Sequence, residues 1–506
     1  MKPEPLPKIS RNAGLTLLLI TAIGIFLRAR TLGESLWLDE LHTAWTAMVG
    51  DAELVSRAHL GNNGSLYFYC VRIVTQIFGE HEWSLRLLSL MAGGLLIPGT
   101  FFVCRFWRCA TITSLLAASL VAIDRHAFFF SCEARPYACV QLLGLAHVVL
   151  FTRLLSGRKR TWTWILWVLS GIVLFHLHCT SALVIAAEVI AYVVLYWFAY
   201  PIKIQPRYLL IGFVIVALGM LPGLGLVRMI AERRENWSHF IRLTRNPLKM
   251  LTIYPVATYL LAPVLFCAVL PFLKKLLGRV GSPAEPDNEL EPVESPSYVM
   301  QLVVCGCWFL VPIVAAWILT ETDVVRLFFR RYIIASSVVL APLTALVISA
   351  LAQLPRDVRN VSGLVFVIAI LGVLRRPVFQ ERVHEDWREA VQAIVQSPLD
   401  QPVVLYSGLI ETDSWHDTKN AAYRAYCEFP LRGIYPVGKG REIVSLPRTH
   451  AVSPIRFSEE TADVWLLVRP SQSKSKTDVS RTLGDDWAIQ SQQQYGRLVL
   501  YSLHRT

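Results

Sequence analysis

The feature that most constrains this chain is a succession of apolar stretches, each close to or above the ~17–25 residues that a helix needs to cross a bilayer. Hydrophobic residues make up 54% of the 506 residues and charged residues only 17%, whereas soluble globular proteins carry about a quarter charged residues. The sequence therefore predicts a mainly α, polytopic membrane helix bundle of about eleven spans. The predicted spans are 13–30, 84–104, 110–128, 134–153, 161–178, 180–200, 207–227, 250–273, 298–319, 333–354 and 360–375.

Basic residues in the short connections predict how the spans are oriented. The segment SGRKRT (156–161) is strongly basic, and Arg153 precedes it. Short loops rich in Lys and Arg stay on the cytoplasmic side, which places the N-terminus inside and, after eleven crossings, the C-terminal region outside. Several arginines nevertheless fall on the predicted outer face, where topology bias does not explain them and an anionic ligand would. They are Arg57, Arg135, Arg233, Arg234, Arg330 and Arg331.

Two segments inside the predicted membrane domain, residues 1–376, differ from the spans. Residues 31–83 form an outer loop, and its stretch SLYFYCVRIVTQIFG has the apolar spacing of an interfacial helix. The segment 281–297 is rich in Pro and acidic residues, which predicts a disordered linker on the inner side.

Residues 377–506 are predicted to form a small α/β domain outside the membrane. They contain no Gly-rich phosphate loop, so nucleotide binding is not expected there. The predicted strands are 401–408, 462–470 and 496–504, and the predicted amphipathic helix is 385–398. The helix is expected to turn inward Trp387, Val391, Ile394 and Val395.

Two adjacent carboxylates stand out directly after the first span, in SLWLDELHTAW (35–45): Asp39 and Glu40. Ionisable residues at membrane depth are functional candidates by default. Other polar stretches are predicted to reach the same face, and each has a structural alternative: a helix cap for the two acids, a local ion pair or an interface residue for the others, and a snorkelling anchor for the arginines. These stretches are SCEARPY (131–137), FHLHCTS (175–181), RRENW (233–237) and FFRRYI (328–333).

Acids and arginines together on one side indicate a particular chemistry. A carboxylate at the mouth of a cavity can take a proton from an acceptor hydroxyl or amine, and nearby arginines can hold a phosphate in bidentate fashion. The charge pattern therefore favours group transfer from a lipid-linked phosphate donor. The net charge of +12 is spread over both faces without a basic helix or aromatic–basic array, so nucleic acid is not an expected partner. The ten cysteines are scattered and show neither a disulfide framework nor a zinc site.

The chain resembles the bacterial membrane glycosyltransferases of the C superfamily (GT-C), in the group of protein O-mannosyltransferases and lipid A aminoarabinose transferases. The similarity spans roughly residues 10–350, and the combination of EHEWSLRLLSLMAG and EARPYA is the most specific part. The other matching stretches are SLWLDELHTAW, HLHCTSALVI and FRRYIIASS. One departure matters, because NNGSLY stands where the group commonly has His-Pro-Pro-Leu-Tyr.

The resemblance implies an integral membrane enzyme of the bacterial cell membrane that takes a sugar from a polyprenyl phosphate donor on the outer face. It implies that Asp39 is the catalytic carboxylate, with Glu40 beside it, and that Arg331 and Tyr332 contact the donor phosphate. Members that use monophosphate-linked donors generally need no metal, so neither a metal nor another cofactor is expected. Further candidates for substrate binding are Arg330, Glu133, Arg135, Tyr137, His178 and Tyr67.

The sequence and the resemblance together thus predict an inverting glycosyltransferase whose acceptor is a protein, a glycan or a lipid. Two alternatives remain open at this point. A transporter or flippase of lipid-linked sugars needs the same phosphate site but no base. A non-catalytic membrane scaffold would only present the outer domain.

Overall fold

The computed structural model describes residues 9–157, 161–234, 298–352, 385–397, 400–406, 421–438, 440–445, 457–469 and 486–506, with a few single residues around 241–253 and at 483–484. The predicted spans 250–273 and 360–375 and the predicted linker 281–297 lie outside the described residues.

Helices dominate the first two thirds of the described chain. The N-terminal part contains α1 (Arg11–Ala29), α2 (Leu38–Ala47), α3 (Asp51–Leu60), α4 (Leu66–Phe78), α5 (Glu82–Phe106), α6 (Thr111–Ile123), α7 (Arg125–Ser131), α8 (Tyr137–Leu155), α9 (Thr161–Leu177), α10 (Ala182–Trp197), α11 (Pro206–Met220) and α12 (Leu224–Glu232). The later helices are Val299–Glu321, Ile334–Ser337, Leu340–Leu351, Trp387–Val395 and Ala421–Phe429.

Seven helical segments of the described chain are long and apolar enough to cross a membrane, or eight if the bent pair α6–α7 is one span. Helix α9 is also apolar but has only 17 residues. These elements overlap all the predicted spans except 250–273 and 360–375. A mainly helical fold with seven or eight apolar spans among the described residues is thus confirmed, while the total of eleven stays a prediction. Helix α5 lies in the middle and packs against α1, α4, α6, α7 and α8.

The third predicted span, 110–128, is broken into two helices. The helices α6 and α7 meet at an angle of 58°. Asp124 caps α7, because its Oδ1 accepts hydrogen bonds from the N–H groups of His126 and Ala127 at 3.1 and 2.7 Å. Arg28, buried completely, donates to the carbonyls of Ala122 and Val121 at the end of α6, at 3.0 and 3.1 Å. Two N–H groups and two carbonyls freed by the break are therefore satisfied inside the protein.

The C-terminal domain contains a five-stranded sheet of order β2-β1-β3-β5-β4. Its strands are β1 (Val403–Tyr406), β2 (Ile443–Ser445), β3 (Asp463–Val468), β4 (Trp487–Tyr495) and β5 (Leu498–Arg505). Strand β1 runs parallel to β2 and β3, and β5 runs antiparallel to β3 and β4. The three predicted strands correspond to β1, β3 and β5, whereas β2, β4 and the helix Ala421–Phe429 were not predicted.

The predicted amphipathic helix of this domain is present as Trp387–Val395. Trp387, Val391 and Ile394 are buried, as the apolar spacing predicts. The inward orientation of Val395 is wrong, because its side chain is 49% exposed. Val395 is the last residue of the helix and directly follows Ile394, so it points about 100° away from its buried neighbour.

Candidate functional site

The structure brings Asp39 and Arg331 together across 292 residues of sequence. Asp39 lies in the first turn of α2, and Arg331 lies in the segment between the helices Val299–Glu321 and Ile334–Ser337. Nη1 of Arg331 donates to Oδ2 of Asp39 at 2.8 Å, and the two side chains are 24% and 20% exposed. The pair is therefore reachable from outside the protein while its geometry is held by the surrounding chain.

The surroundings of Asp39 keep its carboxyl ionised. Burial acts to raise the pKa of Asp39, but the positive charges of Arg331, Arg135 and Arg469 outweigh it and hold that pKa below its usual value. His42 would add to this effect only when protonated, and burial, with the charge of Arg135, lowers the pKa of His42 to about 4. At neutral pH the site thus holds an anionic Asp39 beside arginines and a neutral imidazole.

Arg135 forms the second cationic neighbour of Asp39. Its Nη1 donates to the backbone carbonyl of Asp39 at 3.4 Å and its Nη2 to Oδ1 of Asn63 at 3.3 Å. The guanidinium also lies 6.0 Å from the ring centre of Tyr137. Glu133 and Tyr137 are 1% and 2% exposed, so they support this part of the site from behind.

Aromatic rings fix the orientation of Arg331. Its guanidinium lies 5.3 and 5.2 Å from the ring centres of Phe329 and Tyr332, and its Nη2 donates to the hydroxyl of Tyr332 at 3.3 Å. The imidazole of His178 lies 6.5 Å from the Tyr332 ring, and Thr180 donates a hydrogen bond to the Tyr332 carbonyl. Burial, together with Arg135 and Arg331, lowers the pKa of His178 to about 3, so this ring is neutral.

Two of the predicted substrate-binding residues, Arg330 and Tyr67, have other neighbours than the Asp39–Arg331 pair. Nε of Arg330 donates to the carbonyl of Ile253 at 2.9 Å, so this arginine extends toward a different segment from its neighbour Arg331. Tyr67 is completely buried, and its hydroxyl lies 2.9 Å from Oγ of Ser89, which donates to the carbonyl of Arg135 at 2.9 Å. Tyr67 therefore supports the loop that carries Arg135.

Glu40 is separated from its neighbour Asp39 by the geometry of the helix. Its carboxylate is fully buried and accepts hydrogen bonds from Nε and Nη2 of Arg86 at 2.7 and 2.5 Å, and from the N–H of Ala134 at 2.9 Å. A carboxylate with these partners joins α2 to α5 and to the loop before α8. These contacts turn the carboxylate of Glu40 into the protein interior, while Asp39 stays partly exposed.

Sequence reasoning missed Arg86 and the contribution of the C-terminal domain. A signal for Arg86 was present, because a charged residue inside an apolar span needs a partner, and Glu40 is the acid that supplies it. Tyr426 of the C-terminal domain gives no such signal, yet its ring lies 4.8 Å from the ring of Trp45 and 5.8 Å from that of His42.

The segment that departs from the GT-C motif, Asn62 to Ser65, lies beside the site. Nη2 of Arg233 donates to Oδ1 of Asn62 at 2.9 Å, and Arg135 holds Asn63 as described above. Asn62 has a φ of 60°, a left-handed conformation that Asn tolerates better than most residues. The two asparagines are therefore held by arginines just before Gly64 and Ser65, the positions where the motif has its prolines.

Within the residues that the structure describes, no group of three or more His, Cys, Asp and Glu side chains is arranged to hold a metal ion. The charged groups at the Asp39–Arg331 pair can accept a proton and bind an anion without one.

Comparison with solved structures identifies the fold. The apo crystal structure of ArnT from Cupriavidus metallidurans matches with a TM-score of 0.51 and 12% sequence identity over 97% of this chain and 98% of that chain. The chain therefore shares the fold of this ArnT structure. The resemblance predicted from the sequence is thereby confirmed for the fold. A sequence identity of 12% is too low to assign a function.

Two further solved structures are similar to this chain. ArnT from C. metallidurans bound to undecaprenyl phosphate matches with a TM-score of 0.48 and 10% identity over 98% of each chain. The oligosaccharyltransferase AglB from Archaeoglobus fulgidus, in complex with an inhibitory peptide and a dolichol-phosphate, matches with a TM-score of 0.41 and 11% identity over 90% of this chain and 69% of that one. No protein-family model and no curated protein sequence matches the chain.

Proposed function

We propose that this protein is an integral membrane glycosyltransferase that moves a sugar from a polyprenyl phosphate carrier to an acceptor on the outer face of the cell membrane. The observation that carries the proposal is the pair of Asp39 and Arg331, 2.8 Å apart and partly exposed at both side chains. A general base and a phosphate-binding arginine are the two groups that such a transfer needs. The similarity in fold to ArnT, which binds undecaprenyl phosphate, supports a lipid carrier of this class.

The resting pair explains how the base is kept inactive until the donor arrives. Arg331 bonded to Asp39 lowers the pKa of that carboxyl, which makes it a weak base. A donor phosphate that accepts hydrogen bonds from Arg331 replaces Asp39 as its partner. The pKa of Asp39 then rises toward its ordinary value, so the base becomes stronger only when the phosphate is bound.

Transfer follows as a single displacement with inversion. The oxygen of the acceptor hydroxyl forms a bond to the anomeric carbon while the bond from that carbon to the phosphate oxygen breaks. The electron pair of the broken bond stays on the phosphate, whose growing charge Arg331 and Arg135 stabilise. The proton of the acceptor passes to the carboxylate of Asp39. A protein, a glycan and a lipid all provide a suitable hydroxyl.

The proposed outer location rests on two observations. The basic connection around Arg153 and residues 156–161 favours the cytoplasmic side. The described contacts place Asp39, Arg135 and Arg331 on the same face as the C-terminal domain, since Tyr426 of that domain packs against α2.

The test is release of polyprenyl phosphate by purified protein incubated with a polyprenyl-phosphate sugar and a cell-envelope extract as the source of acceptor. We expect release that depends on the protein and on the extract. Movement of the intact donor across sealed vesicles without release would instead identify a transporter. If neither release nor movement of the donor is observed, the protein is a scaffold and the proposal is contradicted.

A further inference from the structure

The helix that carries Asp39 begins against the C-terminal domain. Glu385 of that domain has a fully buried side chain, and its Oε2 accepts hydrogen bonds from the N–H of Leu38 at 3.2 Å and from Nε1 of Trp387 at 3.1 Å. Its Oε1 accepts a hydrogen bond from Nε of Arg469 at 2.7 Å. Leu38 is the first residue of α2, so a carboxylate 347 residues away satisfies the start of this helix.

The segment just before α2 is held by the same domain. The hydroxyl of Tyr435 accepts a hydrogen bond from the N–H of Leu36 at 2.9 Å and from Oγ of Ser35 at 3.3 Å. Arg388 forms an ion pair with Glu82 and donates to the carbonyl of Gly33 at 2.9 Å. The chain that enters α2 is therefore bonded to the C-terminal domain at several successive residues.

The other end of α2 also contacts the C-terminal domain. The ring of Tyr426 lies 4.8 Å from that of Trp45, and it meets the His42 ring edge-on at 5.8 Å. Trp45 is 2% exposed and His42 is 6% exposed. The domain thus holds α2 near its beginning and along its second half, with Asp39 between the two attachments.

These contacts bear on the reaction because the N–H groups at the start of a helix have no partner within the helix. The residue before α2, Trp37, has no side-chain oxygen with which to cap it. An acceptor from elsewhere is therefore needed, and Glu385 supplies one at Leu38, the residue next to Asp39. A displacement of a catalytic group by about 1 Å can lower a rate about 100-fold.

We propose that Glu385 is a positioning residue for the transfer reaction, through which the C-terminal domain sets the place of Asp39. The inference rests on the proposed function and deepens it, because it gives the C-terminal domain a part in the reaction.

The charges of Glu385 and Arg469 make this role measurable. Asp39 faces Arg331, Arg135, His42 and Arg469, and the tyrosines Tyr137 and Tyr426 lie close to it as well. Because Glu385 and Arg469 form a pair, Glu385→Gln leaves the positive charge of Arg469 without compensation, which lowers the pKa of Asp39. Arg469→Gln removes that charge and raises the pKa of Asp39. The acid limb of kcat/KM should move to lower pH in the first variant and to higher pH in the second.

The experiment compares Glu385→Ala with Glu428→Ala in the full-length protein. Glu428 is a matched control, since it is 8% exposed and bonded to Arg432 within the same domain. We expect Glu385→Ala to lower kcat roughly 10–100-fold while KM for the polyprenyl-phosphate sugar stays within about twofold, and Glu428→Ala to leave both unchanged. Hydrogen exchange in residues 35–41 should be faster only in Glu385→Ala.

A milder variant covers the case in which Glu385→Ala does not fold. Tyr435→Phe removes only the hydroxyl that accepts from Leu36, and Tyr501→Phe in β5 is its control. Tyr435→Phe should lower kcat several-fold without a matching change in KM. The inference is overturned if Glu385→Ala, Tyr435→Phe and their controls share the same kcat, or if the acid limb stays in place in both Glu385→Gln and Arg469→Gln.

Failure of the proposed function has a different signature. If the wild-type protein releases no polyprenyl phosphate, the transferase itself is contradicted, whatever the variants do. If the wild type is active and Asp39→Asn is not, unchanged kinetics in the Glu385 variants count against the positioning role alone.

Discussion

Asp39 and Glu40 are adjacent on one helical turn, yet their surroundings differ in every respect that matters for function. Asp39 forms one hydrogen bond with Arg331, and both side chains are partly exposed. Glu40 forms two with Arg86, and both side chains are 0% exposed. Neighbouring residues on a helix point about 100° apart, so one turn of α2 directs one acid to the partly exposed side and the other to the protein interior.

The difference shows what kind of ion pair is suited to each task. Arg86 also donates to the carbonyls of Leu32, Glu34 and Ser35, at 2.8, 2.5 and 3.2 Å, and so ties the segment between α1 and α2 to α5. An arginine with this many protein partners has no donor to offer a substrate. Arg331 is partly exposed and donates to the carboxylate of Asp39, which a phosphate can replace.

The largest expected effect is on the buried pair. Glu40→Gln should lower the free energy of unfolding by about 3–5 kcal/mol, because removing one partner leaves the charge of Arg86 buried without compensation. The measurement is thermal unfolding in detergent. Glu53→Gln is the control, since Glu53 is 62% exposed and pairs with Arg57 at the surface, where we expect no more than about 0.5 kcal/mol. Equal stability of both variants would contradict the structural role of Glu40.

Asp39→Asn should leave folding intact and lower sugar transfer by at least ~10²-fold, the usual scale of a lost general base. The control is Asp51→Asn, because Asp51 also lies in the first turn of an outer-loop helix and pairs with an arginine, Arg72, at 3.4 Å. Transfer is measured as release of polyprenyl phosphate. Full activity in Asp39→Asn would contradict the role of Asp39 as a general base and leave it only the role of a helix cap.

Arg331→Lys should weaken binding of the donor by ~1–3 kcal/mol, the scale of hydrogen bonds to charged groups. Lys keeps the charge but cannot form the two parallel bonds of a guanidinium to a phosphate. Arg330→Lys should cost less, because Arg330 extends toward Ile253. The measurement is the apparent KM for the polyprenyl-phosphate sugar at matched salt and detergent. Equally small changes of the apparent KM in both variants would contradict phosphate binding by Arg331 and indicate that both arginines are interface anchors.

The smallest effect concerns pH. Arg135→Gln removes a positive charge that lowers the pKa of Asp39, so that pKa should rise. Since the base must be ionised, the loss of kcat/KM on acidification should begin at a higher pH than in the wild type. A profile of kcat/KM against pH checks this, and an unchanged acid limb would argue that Asp39 is not the group that titrates.

Much of the membrane domain could be predicted because hydropathy is a local property. Windows of apolar residues located the helices, and the acid directly after the first span pointed to Asp39. The break at Asp124 was missed, since one polar residue lowers the average hydropathy of an apolar window only slightly. It became visible only through the capping of α7 and the contact with Arg28.

The partners of the site residues depend on contacts between distant segments. Glu40 is 46 residues from Arg86, and Leu38 is 347 residues from Glu385. No local pattern encodes such distances, which is why the two adjacent acids looked alike in the sequence. For the same reason the contacts of the C-terminal domain with α2 could not be predicted.

The corner between α6 and α7 has a mechanical consequence. A broken helix in a membrane protein often serves as a hinge, but this one is fastened on both sides, by Asp124 on the N–H groups of α7 and by Arg28 on the carbonyls of α6. Straightening it would strand a guanidinium and several backbone groups in apolar surroundings, at several kcal/mol for each group. The helices α1, α6 and α7 should therefore behave as one stiff frame, and any motion that admits a lipid must take place in other elements.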